Sequence, residues 1–342
     1  MSAKSATRKP AAAKSPPKPP AKTAKPGGAT RSAVLIGIVG LIVVAAVIAF
    51  LFWQRSEPEA LATGDEPGVV ARVESLYNDI YVYKRPNGFY VLSFGAERLR
   101  YTESIVNPKD ELDLPVYYTQ SMTAGLAYAS SLEDAAIIGL GGGRTSWYYH
   151  KSVPELKMTA VELDPAVAQI ADEFFSVRPE ENFDLEVMDG RMWLVKNDRD
   201  FDVIMVDAYR GPFVPFHLLT TEFYELVSEH LKPGGVAVQN VEPSTMLFDS
   251  AVATIGAVFD HLVFFEGQGN IIILAYDGPE KDEAELNRIA AERQARYGFR
   301  YPLPDILSRR YVADVGKAEP LTDDFAPVEY LKAIERHNEK RT

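Results

Sequence analysis

The chain has 342 residues, no cysteine and a formal net charge of -12. The absence of Cys excludes disulfides, thiolate chemistry, Cys-ligated zinc and lipoprotein acylation. Residues 1–32 hold 8 of the 36 Lys and Arg and none of the 48 Asp and Glu. The rest of the chain is therefore strongly acidic, which argues against a general phosphate-neutralising surface and so against nucleic acid as a partner. It suits a cationic ligand, although excess acid also simply keeps a domain soluble.

In chain order, residues 1–32 are rich in Ala, Lys, Pro, Ser and Gly, a composition that cannot bury a core and predicts a disordered basic tail. Residues 33–53 form an uncharged run, AVLIGIVGLIVVAAVIAFLFW, matching the roughly 20 residues a helix needs to cross a bilayer. The sequence predicts one transmembrane helix there, with Phe50, Phe52 and Trp53 at an interface. The expected localisation is a single-pass membrane protein with a cytoplasmic N-terminus. The flanking charges put the following domain outside, but a long disordered tail weakens that rule, so its side stays open. Residues 54–68 read as a linker.

The segment 69–130 opens with alternating β-branched and aromatic residues broken at Pro86-Asn87-Gly88, which predicts a small antiparallel β unit, followed by a helical stretch over 115–130. Between 131 and 278 short apolar runs alternate with helical patterns. The expected strands are Ala135–Leu140, Met158–Leu163, Asp184–Met188, Phe201–Asp207 and Gly235–Val241, with helices such as Pro165–Phe175 and Thr221–Leu231. This is the pattern of a parallel, doubly wound α/β sheet. Lys232-Pro233-Gly234-Gly235 reads as a helix stop and turn. His261–Phe265 and Asn270–Tyr276 are too close for a parallel crossover, so the last strand must run antiparallel. The fold class is thus a Rossmann-type sheet of the S-adenosylmethionine-dependent transferase kind, with seven strands, preceded by the β unit. Residues 279–342 are expected to be a C-terminal helical segment.

Four features gather at the carboxyl edge of that sheet, where open α/β folds bind ligands. Gly139, Gly141 and Gly143 follow the first strand and allow close backbone approach to a ligand. Glu162 ends the second strand, where a carboxylate can accept both hydroxyls of a ribose. Asp189-Gly190 follow the third, where an acid can accept from an adenine amino group. Asp207 ends the fourth.

With these residues in place, the region from about Val73 to Tyr276 resembles the spermidine synthase (polyamine aminopropyltransferase) family, and looks closest to a bacterial membrane-anchored, spermidine-synthase-like subgroup. The matching segments are the N-terminal β unit, Gln120-Ser121-Met122, IIGLGGG, VELDP, MDG, VDAY, HLLTTEFYELV, LKPGG and LTDDFAPVEYL. The resemblance implies decarboxylated S-adenosylmethionine, or S-adenosylmethionine itself, as the bound nucleoside, no metal, a polyamine or other amine as substrate, and a homodimer. It carries nucleoside binding onto Gln120, Gly139, Gly141, Gly143, Glu162, Asp189 and Gly190.

The family pattern also predicts departures. Its second strand-end Asp, the proton acceptor, is Arg210 here, which cannot accept a proton. An amine-holding Asp of the glycine loop is Gly142, and a Tyr before the Gln-x-Met element is Thr119. Asp207 and Tyr209 are therefore the catalytic candidates, and His217, Asp323 and Asp324 the substrate candidates. Each has a plainer reading: Asp207 fixing the loop, Asp323 capping a helix, His217 structural. Three functions stay open: aminopropyl transfer with a shifted base, methyl transfer on the same scaffold, or non-catalytic binding of a nucleoside or polyamine.

Overall fold

The computed structural model describes residues 59–60, 67–96, 99–209, 213–244 and 247–324. An antiparallel sheet comes first, with strands β1 (Glu59–Ala60), β2 (Gly68–Glu74), β3 (Asp79–Lys84), β4 (Tyr90–Ala96) and β5 (Leu99–Val106) side by side in chain order. Gly88, at φ +86°, closes the expected β3–β4 turn, where the Arg85 N–H donates to the Phe89 carbonyl at 2.8 Å. The stretch read as one helix is two, α1 (Tyr117–Met122) and α2 (Gly125–Tyr128).

The α/β half then follows: β6 (Asp134–Ile138), α3 (Arg144–Ser152), β7 (Lys157–Glu162), α4 (Pro165–Phe175), β8 (Phe183–Val187), α5 (Gly190–Lys196), β9 (Phe201–Val206), α6 (Thr221–Glu229), β10 (Leu231–Val241), α7 (Phe248–Val258), β11 (His261–Glu266) and β12 (Ile271–Tyr276). The chain continues as α8 (Glu283–Tyr297), α9 (Leu303–Leu307) and β13 (Arg310–Tyr311). Asp164 caps α4 by accepting from the Ala166 N–H, with Pro165 fixing the first helical φ.

The second sheet has the order β13-β11-β12-β10-β9-β6-β7-β8. Strands β6 to β10 pair in parallel, and β12 is antiparallel to both β10 and β11, as the short hairpin connection required. The sheet has eight strands where seven were expected, because Arg310–Tyr311 adds to the edge of β11. Lys232-Pro233-Gly234-Gly235 also differs from expectation: it lies inside β10 as a register shift between Leu231 and Val236, both of which pair with β9.

Side chains of each strand alternate between the sheet's two faces. Ile137, Met205, Val238 and Leu274 pack with α3, α4, α8 and the antiparallel sheet in one core. Ile138, Val206, Ala237 and Ile273 pack with α5, α6 and α7 in the other. The antiparallel sheet thus shares a core with one face of the α/β half. Strand order reverses between β6 and β9, which opens a crevice beyond their carboxyl ends.

The single-pass membrane localisation requires correction. Among the described residues no helix is long and apolar enough to cross a membrane. The longest, α8, has 15 residues and charged side chains along its length. The run 33–53 on which that expectation stood lies outside the described residues.

Candidate functional site

The crevice is a cavity of about 430 Å³, within the range of small-molecule sites. Its floor is the loop after β6. Gly139 at φ +94° and Gly141 at φ +54° adopt conformations that L side chains resist. A Cβ on Gly139 would sit 2.4 Å from the Asp207 carbonyl oxygen, so only glycine lets the ends of β6 and β9 meet. Gly143, at φ +68°, turns the chain into α3 as its N-cap and does not line the cavity.

Glu162, at the end of β7, braces this loop. Its Oε2 accepts from the N–H groups of Leu140 at 2.9 Å and Gly141 at 3.4 Å, and its Oε1 from the Asp164 N–H at 3.0 Å. Burial raises its carboxyl, and these three N–H donors pull the other way. A carboxylate has about four acceptor sites, so capacity remains for a ligand hydroxyl.

Asp189 caps α5, with Oδ1 accepting from the Met192 N–H at 2.9 Å. Its Oδ2 lies 2.8 Å from His217 Nε2, and this bond holds the carboxyl below its usual range. Gly190 is required because a Cβ there would meet Ile138 at 2.2 Å. His217 sits in a 3-10 turn, Phe216–Leu218, on the cavity rim.

At the switch point Asp207 accepts from Asn240 Nδ2 at 2.8 Å and from the Tyr118 hydroxyl at 3.1 Å. Burial pushes its carboxyl up to about 6, against the lowering effect of both bonds. It is therefore poised near neutrality, where a proton acceptor works best. Tyr209 lines the same wall, but its hydroxyl donates to the Asn240 carbonyl at 2.9 Å. Its hydroxyl is thus engaged by the backbone and is not a free acid–base group.

The cavity therefore brings together Gly139, Gly141, Glu162, Asp189, Gly190, Asp207, Tyr209 and His217. Besides Gly143, three of the expected residues lie apart from it. Gln120 donates to the Leu114 carbonyl at 2.9 Å and accepts from Arg309 at 3.0 Å, so its amide is engaged in packing α1. Asp323 pairs with Arg191 at 2.6 and 2.7 Å and with the Thr220 hydroxyl at 2.8 Å. Asp324 is exposed. Arg210 falls outside the described residues. The cavity wall also holds residues that the sequence reading did not single out, Tyr118 and Glu103 among them. Tyr118 adjoins the Gln120 element and was there to be weighed. Glu103 has no spacing signal, because it belongs to an irregularity of strand pairing.

An open α/β sheet with an antiparallel final hairpin, whose carboxyl-end crevice carries a glycine loop and acids after the second, third and fourth parallel strands, is a Rossmann-type fold of the S-adenosylmethionine-dependent transferase kind, with its ligand crevice at the switch point. The comparisons with known proteins narrow the class. A spermine/spermidine synthase domain matches residues 117–262. The polyamine aminopropyltransferase of Vibrio vulnificus is 30% identical over 276 residues, covering 77% of this chain and 91% of that protein. A probable polyamine aminopropyl transferase of Bifidobacterium longum is 31% identical over 289 residues, covering 75% of this chain and 61% of its own length. The crystal structure of a probable spermidine synthase from Corynebacterium glutamicum matches with a TM-score of 0.59 at 21% identity, over 78% of this chain and 99% of that one, a likeness of fold. The chain belongs to the polyamine aminopropyltransferase, or spermidine synthase, family.

Proposed function

We propose that this protein transfers the aminopropyl group of decarboxylated S-adenosylmethionine to an amine acceptor, releasing methylthioadenosine. The observation that carries the reading is Asp207: a carboxyl poised near neutrality, held by two donors at the switch point, in the cavity that the glycine loop and Glu162 build. Family membership supports the reaction class.

In this reading Glu162 takes a ribose hydroxyl with its remaining acceptor capacity and keeps the loop in place through Leu140 and Gly141. Asp189 accepts from the adenine amino group, with His217 closing over that edge. Both act mainly by positioning, which turns a bimolecular attack into an effectively unimolecular one. Asp207 takes the proton that the attacking nitrogen sheds. Tyr118 and Asn240 aim its carboxylate and favour its charged form. Tyr209 contributes its ring to the wall.

The test is calorimetric binding of the full chain to decarboxylated S-adenosylmethionine, S-adenosylmethionine and methylthioadenosine, followed by a transfer assay with 1,4-diaminobutane. Preference for the decarboxylated form, with methylthioadenosine released on adding the amine, is the expected result. Preference for intact S-adenosylmethionine without aminopropyl transfer would overturn it in favour of methyl transfer.

A further inference from the structure

The cavity holds a carboxyl group that belongs to the antiparallel sheet. Strands β4 and β5 pair in regular register from Tyr90↔Val106 to Leu92↔Ser104, and again from Ser93↔Thr102 to Ala96↔Leu99. The shift between the two stretches leaves Glu103 as the extra residue of a β-bulge. A bulge re-aims a side chain that strict alternation would send to the other face. Here it brings both Glu103 and Ser104 to the cavity wall.

Glu103 Oε1 is fully buried and has no hydrogen-bond partner among the described residues. Burial, then the charge of Asp207 and then that of Glu162, hold the carboxyl well above its usual range. A buried carboxyl oxygen without a donor is costly, and each such atom in a folded protein calls for an explanation. A bound cation supplies one, because it provides the missing donors and restores the ionised form.

The neighbouring glycine loop shows why the carboxyl comes from β5. A Cβ on Gly142 would lie 2.5 Å from Ser104 Oγ and 2.6 Å from the Phe175 ring. Ser104 of the bulged strand, with Phe175, thus fills the space a loop side chain at 142 would need, and the residue before Ser104 supplies a carboxyl to the cavity wall.

We propose that Glu103 receives the acceptor amine, accepting a hydrogen bond from the attacking nitrogen and holding it beside Asp207. The assignment rests on the aminopropyl-transfer reading above. In the step, the bound ammonium first gives one proton to Asp207, and the lone pair this frees forms a bond to the propyl carbon. The carbon–sulfur bond breaks, and its electron pair stays on sulfur, which changes from sulfonium to neutral thioether. The nitrogen becomes a secondary ammonium, and Glu103 keeps a hydrogen bond to one of its N–H groups.

The test uses the full chain saturated with methylthioadenosine, titrated calorimetrically with 1,4-diaminobutane, together with transfer kinetics. Glu103→Gln should bind methylthioadenosine like the wild type. It should bind the diamine roughly tenfold or more weakly, the effect of losing one charge-assisted hydrogen bond, and raise KM for the amine more than it lowers kcat. Glu103→Asp should recover part of the diamine affinity. Unchanged diamine affinity and KM in Glu103→Gln, with nucleoside binding intact, overturns the assignment. So does parallel loss of nucleoside binding, which marks Glu103 as structural. A wild type that binds methylthioadenosine and neither binds nor uses the diamine instead overturns the transfer reading, and the assignment with it.

Discussion

Tyr118, from the helix that follows the antiparallel sheet, donates its hydroxyl to Asp207 at the end of β9 across 3.1 Å. Burial raises the carboxyl and this bond, which favours the charged carboxylate, opposes the rise, leaving the pKa at about 6. If Asp207 accepts the proton, transfer should fall on the acid side with an apparent pKa near 6. In Tyr118→Phe the lowering contribution is gone, so the acid limb should move to higher pH and kcat at pH 6 should drop. A pH–kcat profile of both proteins checks this, and identical acid limbs would remove Asp207 from the proton path. The stability linkage has the opposite sign. The folded-state value lies above the unfolded one, so Asp207 favours folding below about pH 4, and that contribution is lost as pH rises through about 6.

Glu162 is a brace as well as a ligand candidate, so its loss should be felt twice. Glu162→Ala removes the acceptor for the Leu140, Gly141 and Asp164 N–H groups. Hydrogen bonds to charged groups contribute about 1.5–3 kcal/mol each. Methylthioadenosine affinity should therefore fall roughly tenfold to a hundredfold, and Tm should fall with it. Glu162→Gln keeps one acceptor oxygen and should lie between the two. Calorimetry and thermal melts on the same samples separate the two effects.

Restoring the family's acid at 142 should not restore anything. The Cβ of Gly142→Asp would press on Ser104 Oγ at 2.5 Å and on Phe175 at 2.6 Å. Overpacking of this kind costs about 1–3 kcal/mol. The variant should melt earlier and show no gain in transfer rate. A gain in kcat/KM for the amine would mean that β5 yields easily and that the space beside Gly142 is still an acid's place.

The parallel sheet was legible because short buried strands alternating with amphipathic helices leave few other arrangements, and the β11–β12 hairpin was fixed by the length of its connection. Glu162, Asp189 and Asp207 were legible for the same reason, since strand ends in such a sheet all face one edge. The eighth strand was not, because two residues such as Arg310 and Tyr311 carry no periodicity. Lys232-Pro233-Gly234-Gly235 read as a turn because Pro and Gly ordinarily stop a strand, whereas here pairing resumes after a register shift. Glu103 was hidden by the bulge, which breaks the alternation that a sequence reading relies on. Gln120 and Asp323 were placed by resemblance alone, and their partners, Arg309 and Arg191, come from other parts of the chain.

Asp323 tests whether the segment after β13 belongs to the site. That segment is fastened beside α6 and α7: the Thr221 N–H donates to the Leu321 carbonyl at 2.8 Å, and the Leu321 N–H to the Thr254 hydroxyl at 2.8 Å. Asp323 completes the fastening through Arg191, which follows Asp189 and Gly190 at the start of α5. Its side chain is 41% exposed, so the ion pair is screened and contributes no more than about 1 kcal/mol. Asp323→Asn should therefore lower Tm by a few degrees at most. It should leave KM for the amine unchanged, because the residue does not reach the cavity. An effect on nucleoside affinity without one on the amine would mean that Arg191, once released, disturbs the Asp189 cap of α5 and its contact with His217. A rise in amine KM without loss of stability would instead place Asp323 at the substrate.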